Sequence, residues 1–186
     1  EDGQVTISRA ASSLTYPASF MLVAAMNPCP CGYLGDIQHD CSCTPPMIQR
    51  YRTRISGPLL DRIDLHVEVP RVPHKDLADP LDAESSAAIR VRVETARGLQ
   101  QQRLAAIGLH ANAHMAARHI RKFCQVDEPG KKLLEMVTDK LGLSARSYSR
   151  ILKVARTIAD LDDCETIRHD HLAEAVQYRG LDRKVT

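Results

Sequence analysis

Four cysteines within fifteen residues form the densest group of potential metal ligands in this sequence. Cys29 and Cys31 make one C-x-C pair, and Cys41 and Cys43 make a second pair after nine intervening residues. Four thiolates can enclose a tetrahedral zinc ion and leave no open position, which predicts a structural site. C-x-C spacing is tighter than the usual zinc motif, soft thiolates also accept iron–sulfur clusters, and His39 could replace one thiol. Unliganded thiols, or disulfides formed in air, are the remaining alternatives.

Two polar residues lie beside predicted strands, where they could act on a phosphate. Asn27 follows the apolar run Phe20–Met26. Ligands of open α/β sheets bind at the carboxyl ends of strands, so its amide could position a water or a phosphate oxygen; a simple Asn-Pro turn is the alternative. Arg62 precedes the predicted strand at 63–69, where a rigidly held guanidinium could reach a phosphate of a neighbouring molecule. A weak surface ion pair with Asp61 or Asp64 is the alternative.

The pattern of the chain predicts an α/β part followed by an all-helical part. Strands are predicted at residues 4–9, 20–26 and 63–69, with a loop at 28–46 and a short helix at 47–55. The first strand should be half-buried, with a partner upstream of it, and the second should be buried on both faces. The helices are predicted at 83–107, about 111–124, 128–141, 144–161 and 170–178, with Ser144 and Asp170 as N-caps. The domains are therefore 1–73, a linker with the long helix at 74–108, and 109–186.

The composition excludes several classes of protein. With 44% hydrophobic and 26% charged residues the chain is globular, and a net charge of +2 does not by itself argue for nucleic-acid binding. The longest apolar run has seven residues, too short to cross a bilayer. No signal peptide is recognisable at the first residues, which favours a cytoplasmic protein with reduced thiols or a bound metal. Because residue 1 is not Met, we expect a longer parent protein.

Four stretches resemble one family in order and spacing. The sequence FMLVAAMNPCPCG occupies residues 20–32, and RYRTRISGPLLDRIDLHVEVP occupies residues 50–70. VTISRA lies at 5–10, and LSARSYSRILKVARTIADL lies at 143–161. Together they closely resemble the magnesium-chelatase-like AAA+ ATPases, and within them the ComM (YifB-type) competence proteins. The resemblance implies an ATP- and Mg-dependent ring, usually hexameric, that acts as a DNA helicase in branch migration during natural transformation.

The resemblance also implies roles for particular residues. Asn27 matches the sensor-1 residue, Arg62 matches the arginine finger, and Arg146 matches the sensor-2 residue that opens a helical lid. Arg150, one turn later, is the alternative sensor 2. The strand at Val5–Ala10 resembles the return strand of the hairpin before sensor 1, and the helix at 83–107 resembles the insertion before sensor 2. The implied fold is the C-terminal part of a P-loop AAA+ core followed by the lid.

The chain departs from the family pattern in one large respect. It contains no G-x-x-x-x-G-K-[ST] loop and no acidic Walker-B strand, the elements that hold the phosphates and magnesium. We expect both to lie upstream, and we expect the chain alone not to hydrolyse ATP. Two other functions stay open: a chelatase-like ATPase subunit that remodels a protein, and a small zinc-stabilised DNA-binding module.

Overall fold

The computed structural model describes residues 3–9, 12–72 and 84–180 of the 186-residue chain. These residues form a mixed α/β structure that is mostly helical, which confirms the predicted fold class at that level. None of the helices in these ranges has both the length and the apolar character required to span a lipid bilayer.

Two compact units make up the chain, Glu1–Ile48 and Gln49–Thr186. The predicted domain boundary at residues 73–74 lies outside the described residues. The first unit contains a β-hairpin and the cysteine-rich loop. The second contains the segment around Arg62 and the long helices.

The hairpin consists of β1, Gln4–Arg9, and β2, Ser12–Pro17, paired antiparallel. The predicted strand at 4–9 is therefore confirmed. The partner that the structure gives it follows it in the chain, so β1 is the outgoing rather than the return strand of this hairpin. β2 is polar and ends in proline, so its sequence alone gives a weak strand signal.

The predicted half-burial of β1 is also wrong, since every residue of both strands is exposed. The alternation still separates two faces, because side chains of successive residues point to opposite sides. One face carries hydroxyl pairs and the other carries apolar pairs: Thr6–Thr15 and Ser8–Ser13 at 2.9 Å each, and Val5–Tyr16 and Ile7–Leu14.

The predicted strands at 20–26 and 63–69 are wrong as well. Neither run has regular secondary structure, and their apolar side chains are largely exposed, reaching 88% at Met21 and 85% at Val69. An apolar run becomes a buried strand only where neighbouring strands satisfy its backbone and cover its side chains. In the described part of the chain β1 and β2 pair only with each other and offer no such neighbour.

Two short helices precede the helical bundle along the chain. Helix α1, Pro45–Arg52, confirms the predicted helix near 47–55, and the two prolines start it because first-turn N–H groups need no helical partner. The Gly-Pro step at 57–58 does not simply break the chain but opens helix α2, Gly57–Leu60. Ser56 caps α2 by accepting the N–H of Leu59 at 3.3 Å.

Five further helices lie in the second unit. They are α3 Ser86–Leu104, α4 Ala117–Phe123, α5 Glu128–Leu141, α6 Ala145–Leu161 and α7 His169–Gln177. The predicted helices at 83–107, 128–141 and 144–161 are confirmed within a few residues. Ser144 caps α6 as predicted, accepting the N–H of Ser147 at 3.1 Å. Gly142, in the left-handed conformation, ends α5.

The predicted helix at 111–124 is divided. A 3-10 turn, Asn112–His114, precedes α4, and the chain is extended at Met115 and Ala116. Asn112 is buried, and its backbone N–H donates to Gln100 Oε1 at 3.1 Å. Gln100 thus satisfies an N–H at the start of the turn, and the extended backbone at Met115 and Ala116 separates the turn from α4.

Asp170 is not the cap of the last helix, as the sequence predicted. Helix α7 begins at His169 with Arg168 as its N-cap, and Asp170 lies in the first turn. The ring of His171 reaches back, and its Nδ1 accepts the N–H of Arg168 at 3.1 Å. This bond satisfies the N–H of the N-cap residue itself. The helix therefore begins two residues earlier than an N-cap at Asp170 would place it.

Helix α6 lies at the centre of the bundle. Its apolar residues Ile151, Leu152, Ala155 and Ala159 are buried in one cluster with residues of α3, α4, α5 and α7. The core also holds charge: the Asp160 carboxylate is fully buried between the guanidinium groups of Arg103 and Arg156. Such a network fixes how the helices pack, because each buried charge requires its partners.

Candidate functional site

Arg62 lies directly after α2 on a short segment, residues 57–66, which we call the finger segment. Its N–H donates to Leu59 O at 2.9 Å, and its Nη1 donates to Pro58 O at 2.8 Å. The second bond holds the guanidinium itself back against the first turn of α2. The residue is nevertheless exposed.

The two acids that flank Arg62 bind elsewhere. Ser147 Oγ donates to Asp61 Oδ1 at 3.1 Å, and Arg150 Nη1 forms an ion pair with Asp64 Oδ1. Both partners belong to α6. The surface ion pair considered as the alternative for Arg62 is therefore not formed with either acid.

Arg179 completes the attachment of the finger segment to the helical bundle. Its side chain is 1% exposed, its Nη1 donates to Ile63 O, and its Nη2 donates to Ser147 Oγ at 3.3 Å. Beside it, the His66 N–H donates to Tyr178 O at 2.8 Å. We call the resulting set the clamp: Asp61, Asp64, Ser147, Arg150 and Arg179.

Sequence reasoning missed Arg179 entirely. An arginine at the end of a helix is usually exposed, and only the tertiary structure shows that this one is enclosed. Ser147 also carried no signal, since a serine in the first turn of a helix is commonplace. The sequence indicated Asp61 and Asp64 only as possible ion-pair partners of Arg62.

The two predicted sensor-2 candidates have different surroundings. Arg146 lies in the first turn of α6 and is exposed, whereas the Arg150 side chain is 14% exposed and directed to Asp64. An open cleft of about 370 Å³ separates α2 from the start of α6. Gly57, Pro58 and Asp61 line one side of it, and residues 141–144 with Ser147 line the other.

The four predicted metal ligands come together in the first unit. The Sγ–Sγ distances are 3.3 Å for Cys29–Cys31, 3.7 Å for Cys29–Cys41 and 3.6 Å for Cys31–Cys41. All four sulfur atoms, including that of Cys43, lie within 4.8 Å of one another. All four thiols are free, and the separations exceed the roughly 2.05 Å of a disulfide.

His39 does not join this group. Its ring stacks on Tyr33 with centroids 4.9 Å apart, and its Nδ1 lies 3.5 Å from Asp36 Oδ1. The same carboxylate accepts the N–H groups of Gln38 at 2.7 Å and His39 at 3.1 Å. The alternative in which His39 replaces a thiol is therefore not what the structure shows.

The close packing of the thiols changes their acidity. Hydrogen bonding by the Tyr33 backbone, followed by weaker help from Cys29 and Cys43, lowers the pKa of Cys31 to about 5. Desolvation, together with the adjacent Cys29 and Cys31 sulfurs, raises the pKa of Cys43 to about 12. Thiolates crowded in this way repel one another, so they ionise together only beside a cation.

Asn27 lies at the entrance to the cysteine loop, two residues before Cys29, and is exposed. A Cβ built on Gly32 would come within 3.9 Å of Asn27 Nδ2, so the amide borders the first turn of the loop. That turn is closed by a hydrogen bond from the Gly32 N–H to Cys29 O at 3.1 Å. It requires glycine at position 32, where φ is +86°.

A second group of potential ligands, Asp162, Cys164 and His171, lies in the helical bundle. Here a cation is already present, since Arg168 Nη2 lies 2.8 Å from Asp162 Oδ2 and 3.2 Å from His171 Nε2. The arrangement is an ion-pair network around a guanidinium. It offers a metal no vacant place.

Comparison with known proteins bears on both units. A family model described as "Magnesium chelatase, subunit ChlI C-terminal" matches residues 83–179, and one described as "Magnesium chelatase, subunit ChlI" matches residues 1–77. The chain belongs to the magnesium chelatase ChlI family. In this chelatase-like chain the two matches meet close to the undescribed residues 73–83.

Individual relatives define the branch of the family. The chelatase-like chain is 45% identical over 185 residues to YifB of Escherichia coli and 44% identical over 184 residues to competence protein ComM of Haemophilus influenzae. Protein Rv2897c of Mycobacterium tuberculosis is 36% identical over 179 residues. These alignments cover 98%, 98% and 96% of this chain but 35% of each relative. The chain is thus of the ComM/YifB type and spans about a third of the length of the curated relatives it matches.

Proposed function

We propose that the protein containing this chelatase-like chain is an ATP-driven motor that acts on DNA in the cytoplasm as a hexameric ring. Membership of the chelatase family and similarity to a relative named as a competence protein support this proposal. ATP and Mg²⁺ would be its cofactors. The chain itself carries no phosphate-binding loop, so other residues of the protein would supply it, and the 186 residues alone should not hydrolyse ATP.

The placement of Arg62 carries the proposal. The residue is exposed and its guanidinium donates to a neutral carbonyl, that of Pro58, while Asp61 and Asp64 on either side are bound by α6. A cation that is held on a fixed segment and is not neutralised by its neighbouring acids can enter the nucleotide site of an adjacent subunit. There it would stabilise the charge that develops on the γ-phosphoryl group, which is the role of an arginine finger.

The remaining predicted residues receive separate roles in this proposal. Arg146, exposed in the first turn of α6, is the sensor-2 residue that contacts nucleotide when the helical bundle closes as a lid. Arg150 is a brace that holds Asp64, because its guanidinium is already used there. Asn27 is the sensor-1 residue and would orient the attacking water through its amide.

The first experiment replaces Arg62 by alanine in the full-length protein. Hydrolysis should fall on the order of 10³-fold, since arginine fingers contribute that much or more. ATP binding should be nearly unchanged, because the finger acts mainly in the transition state. Arg97→Ala, which removes an exposed arginine of α3, is the matched control and should retain activity. An active Arg62→Ala protein would remove the residue from the catalytic machinery.

Mixed rings test whether Arg62 acts on a neighbouring subunit. Arg62→Ala subunits are combined with subunits that lack the lysine of the phosphate-binding loop. Some interfaces then pair an intact finger with an intact loop, so hydrolysis should recover above that of either mutant. If verified mixed rings show no recovery, Arg62 acts within its own subunit.

Two other functions are distinguished by their response to DNA. A protein-remodelling ATPase subunit is favoured by the family descriptions, which name a magnesium chelatase. Its hydrolysis would not be stimulated by DNA, whereas the proposed motor's hydrolysis would be.

A zinc-stabilised DNA-binding module is favoured by the cysteine group. It would bind DNA as the 186-residue chain without ATP and with strong dependence on salt.

A further inference from the structure

We propose that Cys29, Cys31, Cys41 and Cys43 hold one Zn²⁺ in a closed tetrathiolate site, and that this ion fixes the position of Asn27. The first half of the proposal stands on the geometry of the loop. The second half rests on the proposed function of Asn27 as sensor 1.

The spacing of the sulfur atoms matches a single tetrahedral ion. With Zn–S bonds of about 2.3 Å, the edges of a regular S₄ tetrahedron are about 3.8 Å long. The Sγ–Sγ distances among Cys29, Cys31 and Cys41 run from 3.3 to 3.7 Å, and the Cys43 sulfur lies within 4.8 Å of each. Sulfurs that bind different irons of a cluster are held apart by the cluster itself, so four thiols within 4.8 Å favour one ion. Among single divalent ions, zinc binds such ligands more tightly than iron.

Burial of apolar groups does not order this loop. Residues 27–43 contain no helix or strand, and Ile37 is fully exposed. Cys29 is the one residue among them that is buried, and its Sγ contacts those of Cys31 and Cys41. Fixing the backbone of so many residues requires a compensating interaction. A metal that joins residues 29–31 to residues 41–43 provides it by closing the loop.

The ion would act on Asn27 through the first turn of the loop. Asn27 Nδ2 borders Gly32, the residue that directly follows the ligand Cys31. The hydrogen bond from Gly32 to Cys29 O ties this turn to a second ligand. Holding both ligands therefore holds the backbone against which the Asn27 amide lies. Zinc is structural in this proposal, because four protein ligands leave no site for water or substrate.

Metal content tests the site directly. The 186-residue chain, purified without a histidine tag or chelator, should contain about one zinc per chain. The double variant C41S/C43S should contain almost none. C124S/C164S, which removes the two cysteines outside the loop, should keep the metal. Cobalt in place of zinc should show the intense visible absorption of a tetrahedral tetrathiolate complex. Wild-type chain that contains no metal, or that contains iron with inorganic sulfide, would overturn the proposal.

Hydrogen exchange tests what the ion orders, and the wild-type chain suffices for it. Chelation of zinc should remove protection of the loop amides, including those of Gly32 and Asp36, and leave that of the α6 amides unchanged. Equal protection with and without metal would show that the ion does not order the loop. This readout remains informative if C41S/C43S does not fold.

The effect on Asn27 is measured in the full-length protein. In C41S/C43S, hydrolysis should fall towards the level of Asn27→Ala, while ATP binding is retained. Full hydrolysis in C41S/C43S would refute the role of the ion in positioning Asn27. Absence of hydrolysis in the wild-type protein would instead refute the proposed ATPase function, and the metal and exchange results would stand.

Discussion

The cysteine loop and the finger segment are held in position by different interactions. Each carries a predicted phosphate-contacting residue, Asn27 or Arg62, and neither gains much from apolar burial. The loop is gathered by side chains that lie within fifteen residues of one another. The finger segment is held by partners 86 to 116 residues away in sequence. A group of residues close together in sequence can be recognised as a motif, whereas contacts between residues far apart in sequence cannot.

The difference also determines which perturbations each segment should resist. The loop should depend on metal and on the few backbone conformations that bring its ligands together. The finger segment should depend on the buried hydrogen bonds and ion pairs of the clamp, and it should be indifferent to chelators. Three measurements on the 186-residue chain address this contrast.

The largest effect is expected from Arg179→Met. The substitution leaves Ser147 Oγ and Ile63 O without their buried donor, so the free energy of unfolding should fall by about 3 kcal/mol. Urea denaturation gives this value, and zinc content should not change. Arg97→Met, which removes an exposed arginine of α3, is the control and should be indistinguishable from wild type. Loss of zinc in Arg179→Met would show that the two segments are not independent.

A smaller effect is expected from Gly32→Ala in the loop. At φ +86° an alanine is strained by about 1–2 kcal/mol, which corresponds to roughly tenfold weaker zinc binding. Gly57→Ala in the finger segment is the matched control, because an added Cβ there meets no atom within 4 Å. Competition with a chromogenic chelator measures both affinities. Equal affinity in the two variants would contradict the conformational requirement at position 32.

The smallest effect is expected from the pair of Asp64 and Arg150. A double-mutant cycle with Asp64→Asn and Arg150→Met should give a coupling energy of about 0.5–1 kcal/mol, since the Asp64 side chain is 55% exposed. The coupling should decline as salt is added. A coupling that salt does not reduce would mean that this pair is desolvated, and the clamp would then be stronger than its exposure indicates.

Several features could be read from the sequence because their causes are local. Helices α5 and α6 begin and end near the predicted residues, where Ser144 and Gly142 supply the N-cap and the left-handed end. The apolar stripe of α6 follows from helical spacing alone. The cysteine group was predicted from spacing, and the family was recognised from long motifs, as the family match confirms.

Other features failed because their causes lie far away in sequence. Residues 20–26 have the composition of a buried strand, yet a strand needs neighbours that the described chain does not provide. The predicted helix at 111–124 is divided after a turn at Asn112, which is tied to Gln100 on another helix. The cap of α7 depends on a histidine ring rather than on the adjacent acid.

The sequence by itself determined the family, the long helices of the bundle and the identity of the thiols and arginines that could do chemistry. Each of these follows from residue type and short-range spacing. Only the tertiary structure decided that Arg150 holds Asp64, that Arg179 is enclosed, and that Arg62 is left exposed between acids bound by α6. The physical reason is that a charged side chain is neutralised by whichever partner the fold brings within a few ångströms, and that choice is not encoded in its neighbours along the chain.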